Sequence, residues 1–482
     1  MKKLSQSLLL ALSFSFATML PTIAMATGER DLSTITGDAK RGEYLSILGD
    51  CQACHTNFAE NGKPFAGGYA VSSPLGDIYS SNITPSKEYG IGNYTLAQFR
   101  DVLRKGIRAD GEYLYPAMPY TAYTQLQDED IADLYAYFMT AVTPVDIAPT
   151  YHTDLPFPFD KRSMMIVWNG LFLDPGPFKP DPSASEEWNR GAYIVEALAH
   201  CSTCHTPRDV MMGEKKDQYL AGGALGSWYA PNITSSINAG IGNWSQEDLV
   251  TYLREGLLEG KAQAGGPMAE AVSDSFQHLR SEDLQAIATY IRSVKPIDNS
   301  EQKAPRDSYG APFDVDLLLR GTEPVDANHT LKSGESLYSA YCSSCHQNDG
   351  SGTPEQFYPS LYHNTATGDY NPSNAIAAIL NGVDRKVGET RYYMPNFGVN
   401  SPTQALDDTQ IARIVQFVYE KYGNQSVKIT PEMVREVRLG GPAPLLLKAQ
   451  PFMLPGMAIG GVILLLLIIW GVVHFRRKGA RT

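Results

Sequence analysis

All six cysteines of the chain fall into three copies of one pattern: Cys51-Gln-Ala-Cys54-His55, Cys201-Ser-Thr-Cys204-His205 and Cys342-Ser-Ser-Cys345-His346. C-x-x-C-H is the attachment signature of c-type haem. Two thiols two residues apart can add across the two vinyl groups of the porphyrin, and the histidine that follows then lies under the iron. Other chemistries fit less well. A structural zinc site asks for four ligands, and each cluster offers three. Thioredoxin-like motifs sit in a strand–helix alternation that is not evident here. Three disulfides would leave three identically placed histidines without a purpose. The expectation is three haem c groups, held by Cys51, Cys54, Cys201, Cys204, Cys342 and Cys345, with His55, His205 and His346 as axial ligands.

An electron-carrying haem iron usually takes a second protein ligand, and methionine opposite histidine raises the potential and closes the iron to small molecules. Each repeat supplies one. Met118 stands in Tyr115-Pro-Ala-Met-Pro-Tyr120 and Met268 in Gly265-Gly-Pro-Met-Ala269, each 63 residues after its histidine. Met394 stands in Tyr392-Tyr-Met-Pro-Asn396, 48 residues after His346. A proline beside each methionine suits a stiff, non-helical loop that presents the thioether. Met164, Met165, Met211 and Met212 have no repeat counterparts and read as packing residues. His152, His200, His278, His329 and His363 are likewise unrepeated and read as structural. Arg104, Arg108 and Arg208 are candidates to pair with haem propionates or to be plain surface charge.

The elements that must position these residues repeat as well. Arg41-Gly-Glu-Tyr44, Arg190-Gly-Ala-Tyr193 and Ser333-Gly-Glu-Ser336 precede the three motifs. At an offset of 150, Asn82-Ile-Thr84 matches Asn232-Ile-Thr234, and Gly90-Ile-Gly-Asn93 matches Gly240-Ile-Gly-Asn243, so the first two modules are closer to each other than to the third. Apolar residues at helical spacing lead into each motif: Tyr44, Leu45, Leu48; Tyr193, Ile194, Leu198; Leu337, Tyr338, Tyr341. Thr95-Leu-Ala-Gln98 and Ser245-Gln-Glu-Asp248 resemble capping boxes that start a middle helix. A closing helix follows each methionine, with acidic starts at Asp128-Glu-Asp130 and Ser281-Glu-Asp283 that favour the helix dipole. Long strand alternation is absent. The expected fold is mainly α, three tandem cytochrome c-type domains plus one C-terminal transmembrane helix.

The ends carry addresses. Lys2 and Lys3, the apolar stretch Leu8 to Leu20 and Ala24-Met25-Ala26 read as a secretory signal cut after Ala26. Leu454 to Phe475 is 22 residues without acidic or basic side chains except His474, and Arg476, Arg477, Lys478 and Arg481 follow. That reads as a membrane span with a cytoplasmic basic tail. The boundaries expected are signal 1–26, first domain 27–148, Pro-rich linker 149–184 with the apolar run Met164 to Leu173, second domain 185–298, linker 299–328, third domain 329–425, linker 426–453, span 454–475 and tail 476–482. The chain has 482 residues, 43% hydrophobic and 19% charged, which excludes wholesale disorder. Its net charge is -12. Removing the leader lysines and the basic tail leaves the exported body more acidic still, which speaks against nucleic-acid binding.

With these modules, the signal and the phrases Arg41-Gly-Glu-Tyr44, Asn82-Ile-Thr84, Gly90-Ile-Gly-Asn93 and Tyr115-Pro-Ala-Met-Pro119 in view, the chain resembles the triple-haem cytochrome c subunit of bacterial membrane-bound dehydrogenases. That family serves alcohol, aldehyde, gluconate, sorbitol and fructose dehydrogenases. The resemblance covers residues from about 38 to 425 and implies a large flavin- or pyrroloquinoline-quinone-containing dehydrogenase subunit as partner, a small third subunit in some members, and ubiquinone as acceptor. It implies an electron-transfer subunit with no catalytic residues toward the organic substrate, at the periplasmic side of the inner membrane. Two rivals stand beside it: a free-standing membrane-anchored shuttle to a terminal oxidase, and a haem peroxidase, which needs an iron with an open position.

Overall fold

The computed structural model describes residues 32–73, 75–320 and 332–479. The expected signal, 1–26, lies outside the described residues. The chain divides after Thr36. Before that point the described residues make one 3-10 turn, Leu32–Thr34; all that follows concerns the part from Gly37 onward.

This part is mainly helical. Leading helices Ala39–Leu48, Glu186–Tyr193 and Gly334–Tyr341 run into the three motifs, the second extended by a π-helical turn, Ile194–Leu198. Middle helices Leu96–Lys105 and Gln246–Glu255 begin with reciprocal capping boxes, Thr95 with Gln98 and Ser245 with Asp248. Closing helices Asp128–Thr140, Ser281–Ser293 and Asp408–Tyr422 follow the methionines. Strands among the described residues make four short antiparallel hairpins; in the last, Val383 pairs with Met394.

The glycine in each leading phrase has a packing reason. A Cβ on Gly42 would stand 1.9 Å from the Asp133 carbonyl oxygen, and one on Gly191 equally close to that of Ala286. On Gly334 it would stand 2.5 Å from that of Arg413. Each leading helix therefore crosses its closing helix backbone to backbone, a distance that only glycine permits.

Two cores result. One runs through both of the first two modules, from Leu45 to Ile291, and the other from Val315 to Val437 belongs to the third. The first is shared because the two modules face each other across a pseudo-twofold relation. Tyr44 donates to Asp283 of the second module at 2.7 Å and accepts from the Arg280 backbone N–H at 3.0 Å. Tyr193 donates to Asp130 of the first module and accepts from the Gln127 N–H at 3.0 Å. Each aspartate also takes an arginine from its own module, Arg41 on Asp130 and Arg190 on Asp283. Residue i meets j′ while j meets i′, the self-complementary logic of a twofold dimer within one chain.

Asp283 supplies a test. Burial raises its pKa, but hydrogen bonds from Arg190 and Tyr44 outweigh it, and the net shift is downward. A carboxylate depressed in the fold contributes stability that is present above its unfolded pKa of about 3.9 and lost as pH falls through the folded value. Thermal melts from pH 7 to pH 3 should show Asp283→Asn less stable at neutral pH, with the gap to wild type closing below about pH 4. Parallel profiles would remove the ion pair from the account.

The described residues between the modules include regular elements. Met165–Phe172 is a helix that buries Trp168 and exposes Ile166, Val167 and Leu171. Val315 enters the third core, as do Val434 and Val437 from the helix Pro431–Arg438.

The transmembrane helix expected over 454–475 is withdrawn. A helix covers Leu445–Gly479 with Pro451 and Pro455 inside it. Among the described residues, however, no helix is long and apolar enough to cross a membrane.

Candidate functional site

Each C-x-x-C-H turns as a short helical piece directly after its leading helix: Cys51–His55, Ser202–His205 and Ser343–His346. All six cysteines are free thiols. Each histidine is oriented the same way. Its Nδ1 faces a backbone carbonyl, Ser81 at 2.7 Å for His55, Pro231 at 2.7 Å for His205 and Pro359 at 2.9 Å for His346. An Nδ1–H donated to a carbonyl fixes the tautomer and leaves Nε2 with its lone pair for a metal.

The twelve predicted residues share one wall. A cavity of about 2180 Å³ is lined by every motif cysteine and histidine and by Met118, Met268 and Met394. One third of that volume falls within the roughly 300–1,000 Å³ of a cofactor pocket. The surface these side chains retain faces the cavity, and the surrounding protein desolvates them. Burial lowers the pKa of all three histidines, that of His205 to about 4, which keeps the imidazoles neutral. Burial also pushes the thiols of Cys51, Cys54, Cys201 and Cys342 up to about 12. Paired thiols beside an oriented neutral imidazole, with a thioether on the same cavity, are the donor set that haem c requires. A haem held there supplies one-electron iron chemistry.

The methionines reach the cavity by three routes, and only Met118 sits in the expected turn, between Pro116 and Pro119. Met268 is the second residue of the helix Pro267–Asp274, and Met394 closes the strand Thr390–Met394. The neighbouring prolines act as boundaries rather than loop stiffeners: Pro267 occupies the first helical position, where its missing N–H costs nothing, and Pro395 ends the strand.

Of the candidate arginines, Arg108 and Arg208 line the cavity and Arg104 does not. Arg104 is held by Asp128 at 2.8 Å, Arg108 by Asp110 at 2.8 Å, and Arg208 by the Thr203 carbonyl at 2.7 Å with Glu214 at 3.6 Å. Sequence reasoning missed Arg306, which lines the cavity from the linker and has no repeat counterpart to mark it. His200, read as structural, packs its half-buried ring against Tyr123 of the first module at 5.6 Å. Tyr123 in turn donates to the Gly49 carbonyl, two residues before Cys51. His200 directly precedes Cys201, so this contact brings two motifs together.

The comparisons agree with this geometry. The cytochrome c family profile matches residues 189–295 and 331–420. The fructose dehydrogenase cytochrome subunit of Gluconobacter japonicus is 46% identical, with 91% of each chain covered. The chain belongs to the family of dehydrogenase cytochrome c subunits. Others in the family include the cytochrome c subunit of alcohol dehydrogenase (quinone) from Gluconacetobacter polyoxogenes, 35% identical over 86% of this chain and 85% of the other. The gluconate 2-dehydrogenase cytochrome c subunit of Pantoea cypripedii is 35% identical over 84% of this chain and 92% of the other. The chain is thus a haem c protein that transfers electrons in a complex with a catalytic dehydrogenase subunit.

Proposed function

We propose that this subunit carries three haem c groups and relays electrons from a flavin-containing, sugar-oxidising dehydrogenase partner to ubiquinone. The observation that carries the haem count is the threefold recurrence of one arrangement: two free thiols, a histidine held through Nδ1 by a carbonyl, and a methionine on a common cavity. His55 with Met118, His205 with Met268 and His346 with Met394 would hold the three irons. The chain's own part would be to hold each haem through its two cysteines, histidine and methionine, and a haem so held would supply one-electron chemistry. The higher identity to the fructose dehydrogenase subunit, 46% against 35% for the alcohol and gluconate relatives, favours a sugar at the donor end; the flavin is what the family resemblance implies for that type. The periplasmic face of the inner membrane, which the family resemblance implies, is the site of work in this proposal.

Gentle solubilisation, capture of this chain and analysis of what accompanies it test both ends. A pyridine haemochrome assay should give three haem c per chain, and a large flavoprotein should co-purify, with sugar reducing the haems and a ubiquinone analogue reoxidising them. Two haems per chain would sink the relay as drawn. A pyrroloquinoline quinone in the partner would move the complex to the alcohol type. Intact haems with no large partner would leave a free-standing shuttle.

A further inference from the structure

The segment between the second and third modules delivers one charged side chain into the site. Arg306 opens a 3-10 turn, Arg306–Ser308, and is 4% exposed. Its Nη2 donates to the carbonyls of Asn232 at 3.0 Å and Gly240 at 3.2 Å. Asn232 follows Pro231, whose carbonyl holds the His205 imidazole. Its Nη1 meets Asp369 of the third module at 3.3 Å, a carboxylate equally buried. Its Nε is a buried donor without a partner. The backbone is pressed in as well, since a Cβ on Gly368 would stand 1.8 Å from the Arg306 carbonyl oxygen. The guanidinium is therefore fixed one residue from the hydrogen-bond acceptor of a proximal ligand, on the wall of the cavity, and tied to a countercharge on the next module.

We propose that Arg306 is the fixed positive charge of the second haem site, and that its pair with Asp369 sets that site's potential against the third. This rests on the three-haem relay above. Oxidation makes the iron centre more positive by one electron, so a nearby buried cation opposes it and a nearby buried anion favours it. Inside the protein such charges are little screened. Net charge and hydrogen bonding around the site are among the levers a protein has on haem potential. The guanidinium is close to the ligand by geometry, since its Nη2 holds the carbonyl of Asn232 at 3.0 Å and the neighbouring Pro231 carbonyl holds His205 Nδ1 at 2.7 Å. The step concerned is one electron passing between irons, with no bond made or broken and no proton moved. The pair spans the junction of two modules, so the third module's docking adjusts the second site.

The test is a spectroelectrochemical titration of the full chain with its haems in place, the second site's wave being the one that moves when Met268 is replaced. Arg306→Gln removes the cation and leaves Asp369 uncompensated, so the wave should fall by at least a tenfold shift in the one-electron equilibrium, 59 mV. Asp369→Asn leaves the cation uncompensated, so the same wave should rise. Arg306→Lys should keep most of the wild-type value, and the first site should not move. A structural role would loosen the junction in both variants and move the wave the same way in each; that result, or no movement, overturns the inference. If Arg306→Gln does not fold, the rise in Asp369→Asn and the rescue by Arg306→Lys decide it. Absence of haem from the second motif in the wild type would defeat the relay itself, whereas unmoved potentials with all three haems bound would defeat only this proposal.

Discussion

Gly191→Ala should destabilise the protein by roughly 3 kcal/mol, lowering Tm by about 5–10 °C. The added carbon would stand 1.9 Å from the Ala286 carbonyl oxygen, with Tyr290 Cβ at 2.9 Å. Neither neighbour can yield. The carbonyl belongs to the interior of the closing helix Ser281–Ser293, and Tyr290 packs in the first core. The helices must move apart, and because that core is common to two modules, the separation is felt in both. Gly42→Ala should act alike against Asp133. Gly170→Ala is the control. It sits in the helix Met165–Phe172 with nothing within 4 Å of the new carbon, so it should gain up to about 1 kcal/mol from helix propensity alone. Calorimetry of the three variants checks the contrast. Equal melting temperatures for Gly191→Ala and wild type would mean that the helices do not cross as closely as the geometry has them.

What was legible in the sequence was what repeats locally. The motifs, the leading and closing helices and the capping boxes at Thr95 and Ser245 depend on residues within a few positions of one another, and repetition, threefold for the motifs and twofold for the boxes, made them plain. The glycines of the leading phrases were visible as letters, but the reason for them was not, because the clash partner lies on another helix. The twofold relation between modules one and two was illegible for the same cause: Tyr44 and Asp283 are 239 residues apart. Arg306 was hidden more thoroughly, since it belongs to a connecting segment that repeat comparison discards. The methionines were found through spacing and proline neighbours, yet two of three stand on regular elements. The membrane span read over 454–475 is not supported, since among the described residues no helix is long and apolar enough to cross a membrane.

Met268→Ala should leave the fold intact and change one of the three proposed haems. As the proposed sixth ligand, Met268 is placed by a helix start rather than a loop. Gly266 takes φ +52 beneath the Trp228 ring, Pro267 sets the first turn, and Ala269 and Val272 are buried in the core. Alanine is the best helix former, so the substitution removes the thioether without disturbing this start. One iron then has an open position. The expected result is a high-spin component in the oxidised spectrum, carbon monoxide binding to one haem per chain when reduced, and a lower potential for that haem, since methionine opposite histidine raises it. The drop should lie within the roughly 0.8 V range that axial ligands command. Met268→His should restore a low-spin spectrum while keeping the potential low. The same pair of changes at Met394 asks whether a strand end serves as well as a helix start. An unchanged spectrum in Met268→Ala would mean that the second iron is closed by another group or already open, and an open iron would turn the second module from a relay into a site for small-molecule chemistry.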